Sequence, residues 1–297
     1  MTQQADILCI GSVLWDVIGR TASSMRVGSD VPGRITRLPG GVAMNIAMTL
    51  RRFGMTPALL TAIGRDSEGD ELVAEATRMG MVCDHIYRSE DLPTDVYMAV
   101  EGANGLIAAI ADAHSLEAAG DKILRAMANG ALGTADAPYS GTVALDGNLT
   151  EELLQDIAGS NLFQHADLRV APASPGKAER LLALLGHPSA TLYVNLEEAG
   201  LLCHTQFDDS ASAAAALIQR GAHRVLVTDG GKSASEGTQG DIITQTPPAV
   251  MVTRVTGAGD TFMAAHIASE SEGMNRSAAL TRALNAAATY VSGETPL

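Results

Sequence analysis

The sequence predicts an α/β fold: a doubly wound, mainly parallel sheet with helices on both faces, carrying a small β-sheet lid. Three observations predict it. Short apolar runs alternate with helix-like stretches along most of the 297 residues, and repeated strand–helix units imply a parallel sheet covered on both sides. The rhythm breaks at residues 95–112, where two β-like runs flank Gly-Ala-Asn-Gly and read as a hairpin. Residues 12–37 are also β-prone, rich in glycine and proline, and without helical periodicity.

Taken in order, Ile7–Ile10 is a short apolar strand ending at Gly11. Residues 42–53 place Val42, Ile46, Leu50 and Phe53 on one helical face, and Gly54 stops the helix. Residues 58–64 read as a strand. Ser67 and Asp70 fit a capping box, followed by an apolar stripe at Leu72, Ala76 and Met79 that ends at Gly80. The hairpin, with 12–37, supplies a lid over about 12–37 and 93–112. Strand-like 142–147 precedes a helix at 150–159, and Arg169–Pro172 precedes one at 176–185. Residues 191–195 precede a helix at 196–203, and an alanine-rich helix at 209–220 precedes a strand at 223–230. Residues 249–255 are expected as a strand feeding a helix at 258–270, with another at 275–291. One domain spanning 1–297 accommodates all of this.

The composition narrows the function. Hydrophobic residues make up 46% and charged residues 18%, enough for a sizeable core. The net charge of −14 speaks against a nucleic-acid partner. No window of 18 apolar residues indicates a membrane span, and the first residues lack the pattern of a signal peptide. Cys9, Cys83 and Cys203 are far apart, form no metal-spaced pair and point to a reducing cytoplasm. The seven histidines are scattered, and none is taken as a ligand.

Ligands of doubly wound sheets bind beyond the carboxyl ends of the strands, so chemistry is sought just after each strand. Gly257-Ala258-Gly259 is a tight turn, and Asp260 opens a helix in which Phe262, Ala265 and Ile267 can pack inward. Free N–H groups at a helix start bind anions; equally, a carboxylate there caps the helix and suits its dipole. Gly40 and Gly41 let the backbone approach a ligand closely, with Asn45 on the first helical turn; alone, the segment also fits a plain turn before a helix. Gly231-Lys232-Ser233 imitates the end of a P-loop, but Leu226 stands where that motif needs glycine, so a Walker-type site is rejected. Asn195 and Glu198 follow a strand on one helical turn. They suit either a hydrated Mg²⁺ or a helix cap with a solvated acid. No GxGxxG follows the first strand, which argues against a dinucleotide oxidoreductase.

The order of these weak motifs is more specific than any one of them. Gly40-Gly41 with Asn45, then Asn195 with Glu198, then Thr228 and Gly230, then Gly257–Asp260 resemble the ribokinase-like (PfkB) carbohydrate and nucleoside kinases over almost the whole chain. Residues 29–54, 106–112, 143–154, 171–181 and the valine before Thr256 are similar to the pseudouridine kinases within that family.

The resemblance implies an ATP- and Mg²⁺-dependent phosphotransferase acting on the 5′-hydroxyl of a ribosyl substrate, pseudouridine first. A kinase of ribose, another sugar or another nucleoside in the same family is the alternative. It implies Asp260 as the base and the Gly257, Ala258 and Gly259 amides as the hole for the transferring phosphoryl group. Asp16, Gly40, Gly41 and Asn45 are then the sugar site, with Asn148 and Lys177 near substrate or phosphate and Ser174 beside them. Thr228, Gly230 and Asn285 serve ATP, and Asn195 and Glu198 hold Mg²⁺ through water. The lid closes over the sugar, and its strand edge suits a homodimer. Two departures stand out. Met44 replaces an arginine common before the asparagine, and Arg254 stands where many members carry Asp or Asn. A guanidinium there repels K⁺, so weak or absent K⁺ activation is expected. The short run after the last helix leaves the adenine side short or partly open. A non-catalytic nucleotide-binding protein on this scaffold is the competing class, marked by nucleotide binding without a phosphorylated product.

Overall fold

In the computed structural model, residues 5–26 and 28–293 are described; the first four residues, read above for a signal peptide, and the last four of the chain lie outside them. The strand β1 (Ile7–Ile10) is wholly buried, as a strand covered on both faces must be. Its alternate residues enter two separate cores. Leu8 and Ile10 pack into one, and Ile7 and Cys9 into the other.

Chain order carries β2 (Leu14–Arg20) and β3 (Arg34–Gly40) into the lid, then α1 (Val42–Arg52), β4 (Pro57–Leu60), β5 (Ala62–Gly64) and α2 (Ser67–Arg78). After β6 (Tyr87–Ser89), the hairpin β7 (Val96–Gly102) and β8 (Gly105–Asp112) completes the lid sheet. The short helices α3 (His114–Ala119) and α4 (Arg125–Ala128) follow. The main sheet resumes with β9 (Thr142–Asp146), α5 (Glu151–Gly159), β10 (Asp167–Ala171), a 3-10 segment (Pro175–Leu184), β11 (Ala190–Asn195), α6 (Leu196–Cys203), α7 (Ser210–Gln219) and β12 (Arg224–Thr228). The chain ends through β13 (Ala234–Thr238), β14 (Ile242–Gln245), α8 (Ala258–Ser271) and α9 (Arg276–Ser292).

The main sheet has eight strands in the order β14-β13-β12-β11-β10-β9-β1-β4. It is parallel from β12 to β4, while β13 and β14 add an antiparallel edge. Helices α1, α2, α8 and α9 contribute to the core that holds Ile7 and Cys9; α3 to α7 and the 3-10 segment contribute to the other. The predicted fold class is therefore the observed one. The strand order reverses around β1, between β9 and β4, and the crevice beyond the ends of β1 and β9 is the topological switch point. The lid is a second sheet, β3-β2-β7-β8.

Four local expectations are corrected. Residues 249–255 form no strand. Met251, Val252 and Val255 are exposed, and the backbone runs along the carboxyl end of α9, where Thr253 N–H donates to Val291 O at 2.8 Å. The β-prone pattern has no strand edge to pair with. Residues 58–64 are two strands in different sheets, not one. The α2 cap is Asp66, whose carboxylate accepts from Gly69 N–H at 2.8 Å, rather than Ser67. The buried face of α1 centres on Ala43, Met44, Ile46, Ala47 and Leu50, leaving Val42 and Phe53 at its margins.

Candidate active site

The site is built from the strand ends and two helix starts. Gly40 ends lid strand β3, and α1 begins at Val42, so Gly41 alone joins lid to helix. Its φ of +93° disfavours any side chain, and an added Cβ would overlap the Ser12 carbonyl. A Cβ on Gly40 would overlap the Asp16 carboxylate, which lies against it from β2. The paired glycines are thus explained by two close approaches, one to the β1–β2 turn and one to an acid.

On the first turn of α1, Asn45 Nδ2 donates to Asp260 Oδ2 at 2.9 Å, joining positions 215 apart in sequence. Asp260 sits in the first turn of α8, whose N-cap Gly257 has φ +86°. A Cβ on Gly257 would press on the Tyr290 hydroxyl, which donates to Thr256 O at 2.8 Å. From Thr261 to Ser269, α8 is buried on every side, so Asp260 is mounted on a rigid element. Burial pushes its carboxyl up to about 7. The Asn45 hydrogen bond opposes the shift, and the negative charges of Asp146, Asp16 and Glu198 add to it. Four carboxyl groups therefore share one electrostatic neighbourhood. Burial likewise raises Asp16 to about 6.

Of the three proposed phosphate-hole amides, Ala258 N–H already donates to Val255 O at 3.0 Å. Gly259 and Asp260 lie in the first turn, where no intrahelical carbonyl reaches their N–H groups, and their position suits an anion.

The switch-point crevice joins the expected Asn148 and Lys177 to Ser12 and Asp146, which sequence reasoning passed over. Asp146, fully buried at the end of β9, accepts from Ser12 N–H at 2.7 Å and Ser12 Oγ at 2.6 Å. The same Ser12 Oγ accepts from Val42 N–H at 2.9 Å and Asn148 Nδ2 at 2.9 Å. Asn148 Nδ2 also faces Asp146 Oδ1 at 2.9 Å, and Lys177 Nζ donates to Asn148 Oδ1 at 2.5 Å. One hydroxyl has one proton and two lone pairs, so Ser12 is saturated. The Asn148 amide protons are likewise spent inside the protein. Lys177, at the start of the 3-10 segment, retains further N–H donors. A Cβ on Gly11 would overlap Asp146, so that glycine makes room for the acid. The signal available in the sequence was the acid two positions before Asn148 at a strand end.

Asn195 and Glu198 form a complete capping box at the start of α6. Asn195 Oδ1 accepts from Glu198 N–H at 2.9 Å, and Glu198 Oε2 accepts from Asn195 N–H at 2.8 Å. The acid is not solvated: Glu198 is 7% exposed, and burial raises it to about 7. Thr228 is the register partner of Asn195 on the adjacent strand end, and Gly230 turns at φ +55°. Asn285 lies on the exposed face of α9, apart from the hydrogen-bonded cluster. No group of three or more His, Cys, Asp or Glu among the described residues is gathered to hold a metal ion. A cation such as Mg²⁺, which keeps most of its waters, needs no such cage. The half-satisfied Glu198 carboxylate suits its hydration shell.

Arg254 has a structural role. Its guanidinium lies 3.8 Å from the Tyr290 ring centroid, and Nε donates to Tyr290 O at 2.8 Å, at the carboxyl end of α9. There the charge also favours the helix dipole.

A doubly wound domain with a β lid and an aspartate at a glycine-rich helix start fits a phosphotransferase acting on an alcohol. Residues 4–295 match the model of the pfkB family carbohydrate kinases, and the chain belongs to that family. Among its relatives, the uncharacterized sugar kinase YeiI of Escherichia coli (strain K12) is 30% identical over 92% of this chain and 74% of its own length. The pseudouridine kinase of the same organism is 28% identical over 89% and 83%. Among solved structures, a carbohydrate kinase from Agrobacterium tumefaciens superposes with a TM-score of 0.80 at 25% identity, covering 96% of this chain and 90% of that one. Arabidopsis thaliana ribokinase complexed with ribose and ATP gives 0.78 at 22% identity, covering 97% and 93%. No helix among the described residues is long and apolar enough to cross a membrane.

Proposed function

We propose that this kinase phosphorylates the 5′-hydroxyl of a ribosyl substrate, pseudouridine being the first choice, in a reducing cytoplasm. The observation that carries the reading is the Asp260 carboxylate, held by Asn45 at the start of a buried helix and sharing its field with Asp16 on the lid. The similarity to a pseudouridine kinase supports the choice of substrate.

In this reading Asp16 accepts hydrogen bonds from ribose hydroxyls while Gly40 and Gly41 let the sugar lie against backbone. Asp260 accepts the 5′-hydroxyl proton as the new O–P bond forms and the bond from the γ-phosphorus to ADP breaks. A carboxyl raised to about 7 is a better base than an ordinary aspartate, half ionised near neutral pH and ionised above it. First-turn amides, Gly259 foremost, stabilise charge on the transferring group. ATP occupies the channel by Thr228 and Gly230, with Asn285 toward adenine, and supplies the phosphoryl group. Asn195 and Glu198 would hold Mg²⁺ through water, and the ion would supply neutralisation of the phosphate charge. The lid strands exclude water as the site closes.

The test is ADP release with ATP–Mg²⁺ against pseudouridine, uridine, adenosine and ribose, with mass detection of the product. Pseudouridine 5′-phosphate as the preferred product is expected. Preferential turnover of ribose would assign a ribokinase instead, and nucleotide binding without any phosphorylated product would overturn the kinase reading.

A further inference from the structure

The lid's inner face can be read row by row. Strand register places Leu38, Asp16, Tyr97 and Ala111 side by side across all four strands, on one face. Asp16 belongs to the face turned toward Asp260, since it adds to the charge felt there. The opposite face carries Trp15, whose indole N–H donates to Glu68 O on α2 at 2.8 Å. The next inner row is Thr36, Ile18, Ala99 and Ala109, mainly apolar. Ribose alone, with a hydroxyl on most carbons, has nothing to match an apolar row beyond Asp16; a flat ring has.

At the far end of the Asp16 row lies a small cavity of about 100 Å³, lined by Ala111, Ala113, His114, Glu117 and Lys177. Strands lie about 4.8 Å apart, so Ala111 stands roughly 10 Å from Asp16, two strands away. That is the span from a ribose hydroxyl to the far edge of an attached six-membered base. A second path joins the cavity to the sugar site. Lys177 Nζ donates to Asn148, Asn148 donates to Ser12, and Ser12 Oγ takes the first N–H of α1. Lys177 is therefore fixed relative to Gly41 and Asn45 rather than swinging freely.

The cavity's chemistry is mixed. Lys177 offers donors only, Glu117 acceptors only, and His114 either. Arg180 Nη2 donates to Glu117 Oε1 at 3.0 Å, which steadies the acid. Its volume accommodates about three water-sized groups. A carbonyl, an N–H and a carbonyl in sequence, the edge of a cyclic imide, is the planar group that meets donor, acceptor and donor in turn.

We infer that this cavity reads the imide edge of a uracil-type base, with Tyr97 and the apolar row beneath the ring and Lys177 and Glu117 setting selectivity for a nucleoside over free ribose. The inference rests on the kinase reading above.

The experiment measures kcat/KM with ATP–Mg²⁺ for pseudouridine, uridine, N3-methyluridine and ribose, on the unaltered protein and on Lys177→Met. For the unaltered protein, uridine and pseudouridine should exceed ribose at least tenfold, and N3-methyluridine should fall at least tenfold below uridine, because its methyl removes the N–H that Glu117 would accept from and sets an apolar group against that carboxylate. In Lys177→Met the preference of pseudouridine over ribose should narrow by about tenfold or more. The methylated substrate needs no variant, so the inference stays testable if Lys177→Met folds poorly. Equal constants for uridine and its N3-methyl analogue, or for nucleosides and ribose, would overturn the inference and leave the kinase reading standing. Absence of turnover with every ribosyl compound would remove both.

Discussion

Replacing Asp260 by asparagine should make the protein more stable while abolishing most of its turnover. Asp260 rises from 3.8 to about 7 in the folded chain. Between about pH 4 and 7, the folded state keeps a proton that the unfolded state has lost. The contribution is therefore most favourable below pH 4, is lost as pH rises through 7, and leaves an ionised group in a poorly solvating site above that. A shift of about three units, at about 1.4 kcal/mol each, sets the cost at alkaline pH at no more than about 4 kcal/mol. Asparagine carries no charge, and its carbonyl can still accept from Asn45, so the variant should recover a large part of that cost. For a chain of this size the gain is on the order of several degrees in Tm. Thermal unfolding of the ligand-free protein and of Asp260→Asn, at pH 4.5 and 8.5, provides the measurement. A clear gain at pH 8.5 that shrinks at pH 4.5 is expected. A variant no more stable at pH 8.5, or equally stabilised at both, would refute the argument that the acid is held against its environment; near-normal turnover would refute its role as base.

Three further outcomes follow from the same geometry. Gly40→Ala puts a methyl group onto the Asp16 carboxylate, so KM for the ribosyl substrate should rise at least tenfold while KM for ATP stays within about twofold, measured by steady-state kinetics. Arg254 places its charge on Tyr290 and the end of α9, and turnover in K⁺ and in tetramethylammonium should agree within about twofold; a large K⁺ stimulation would contradict it. Ile110 is exposed on β8, an edge strand of the lid, and a lid edge is the surface expected to meet a second copy of the chain. Sedimentation should show a dimer that Ile110→Lys converts to monomer, and a monomeric parent protein would dismiss that surface.

Much of the fold was legible because burial on both faces leaves a plain trace. Ile7–Ile10, Val143–Leu145 and Val225–Val227 are continuous apolar runs, and all are fully or almost fully buried. Strand β13 was missed because Ser235, Glu236 and Gly237 carry no apolar signal, and the edge strand β14 because it is only 4 residues long. Glu236 is buried with its pairs to Arg224 on the neighbouring strand β12 and Arg276 on α9. Residues 249–255 failed in the opposite sense: the propensity is present but no neighbouring strand is. Asp66 won the α2 cap over Ser67 because Thr94 N–H, 28 residues away, also donates to it. At the candidate site, glycine and acid types marked the Gly40–Gly41 and Gly257–Asp260 turns, which the structure brings together through Asn45. The Asn45–Asp260 bond and the Ser12–Asp146 cluster depend on which strand ends meet, and topology rather than spacing decides that.

With only Gly41 between the last residue of β3 and the first of α1, the lid and the helix bearing Asn45 share one articulation. In the proposed kinase reading, any movement of the lid about that joint is felt by Asn45 and, through its 2.9 Å hydrogen bond, by the Asp260 carboxylate.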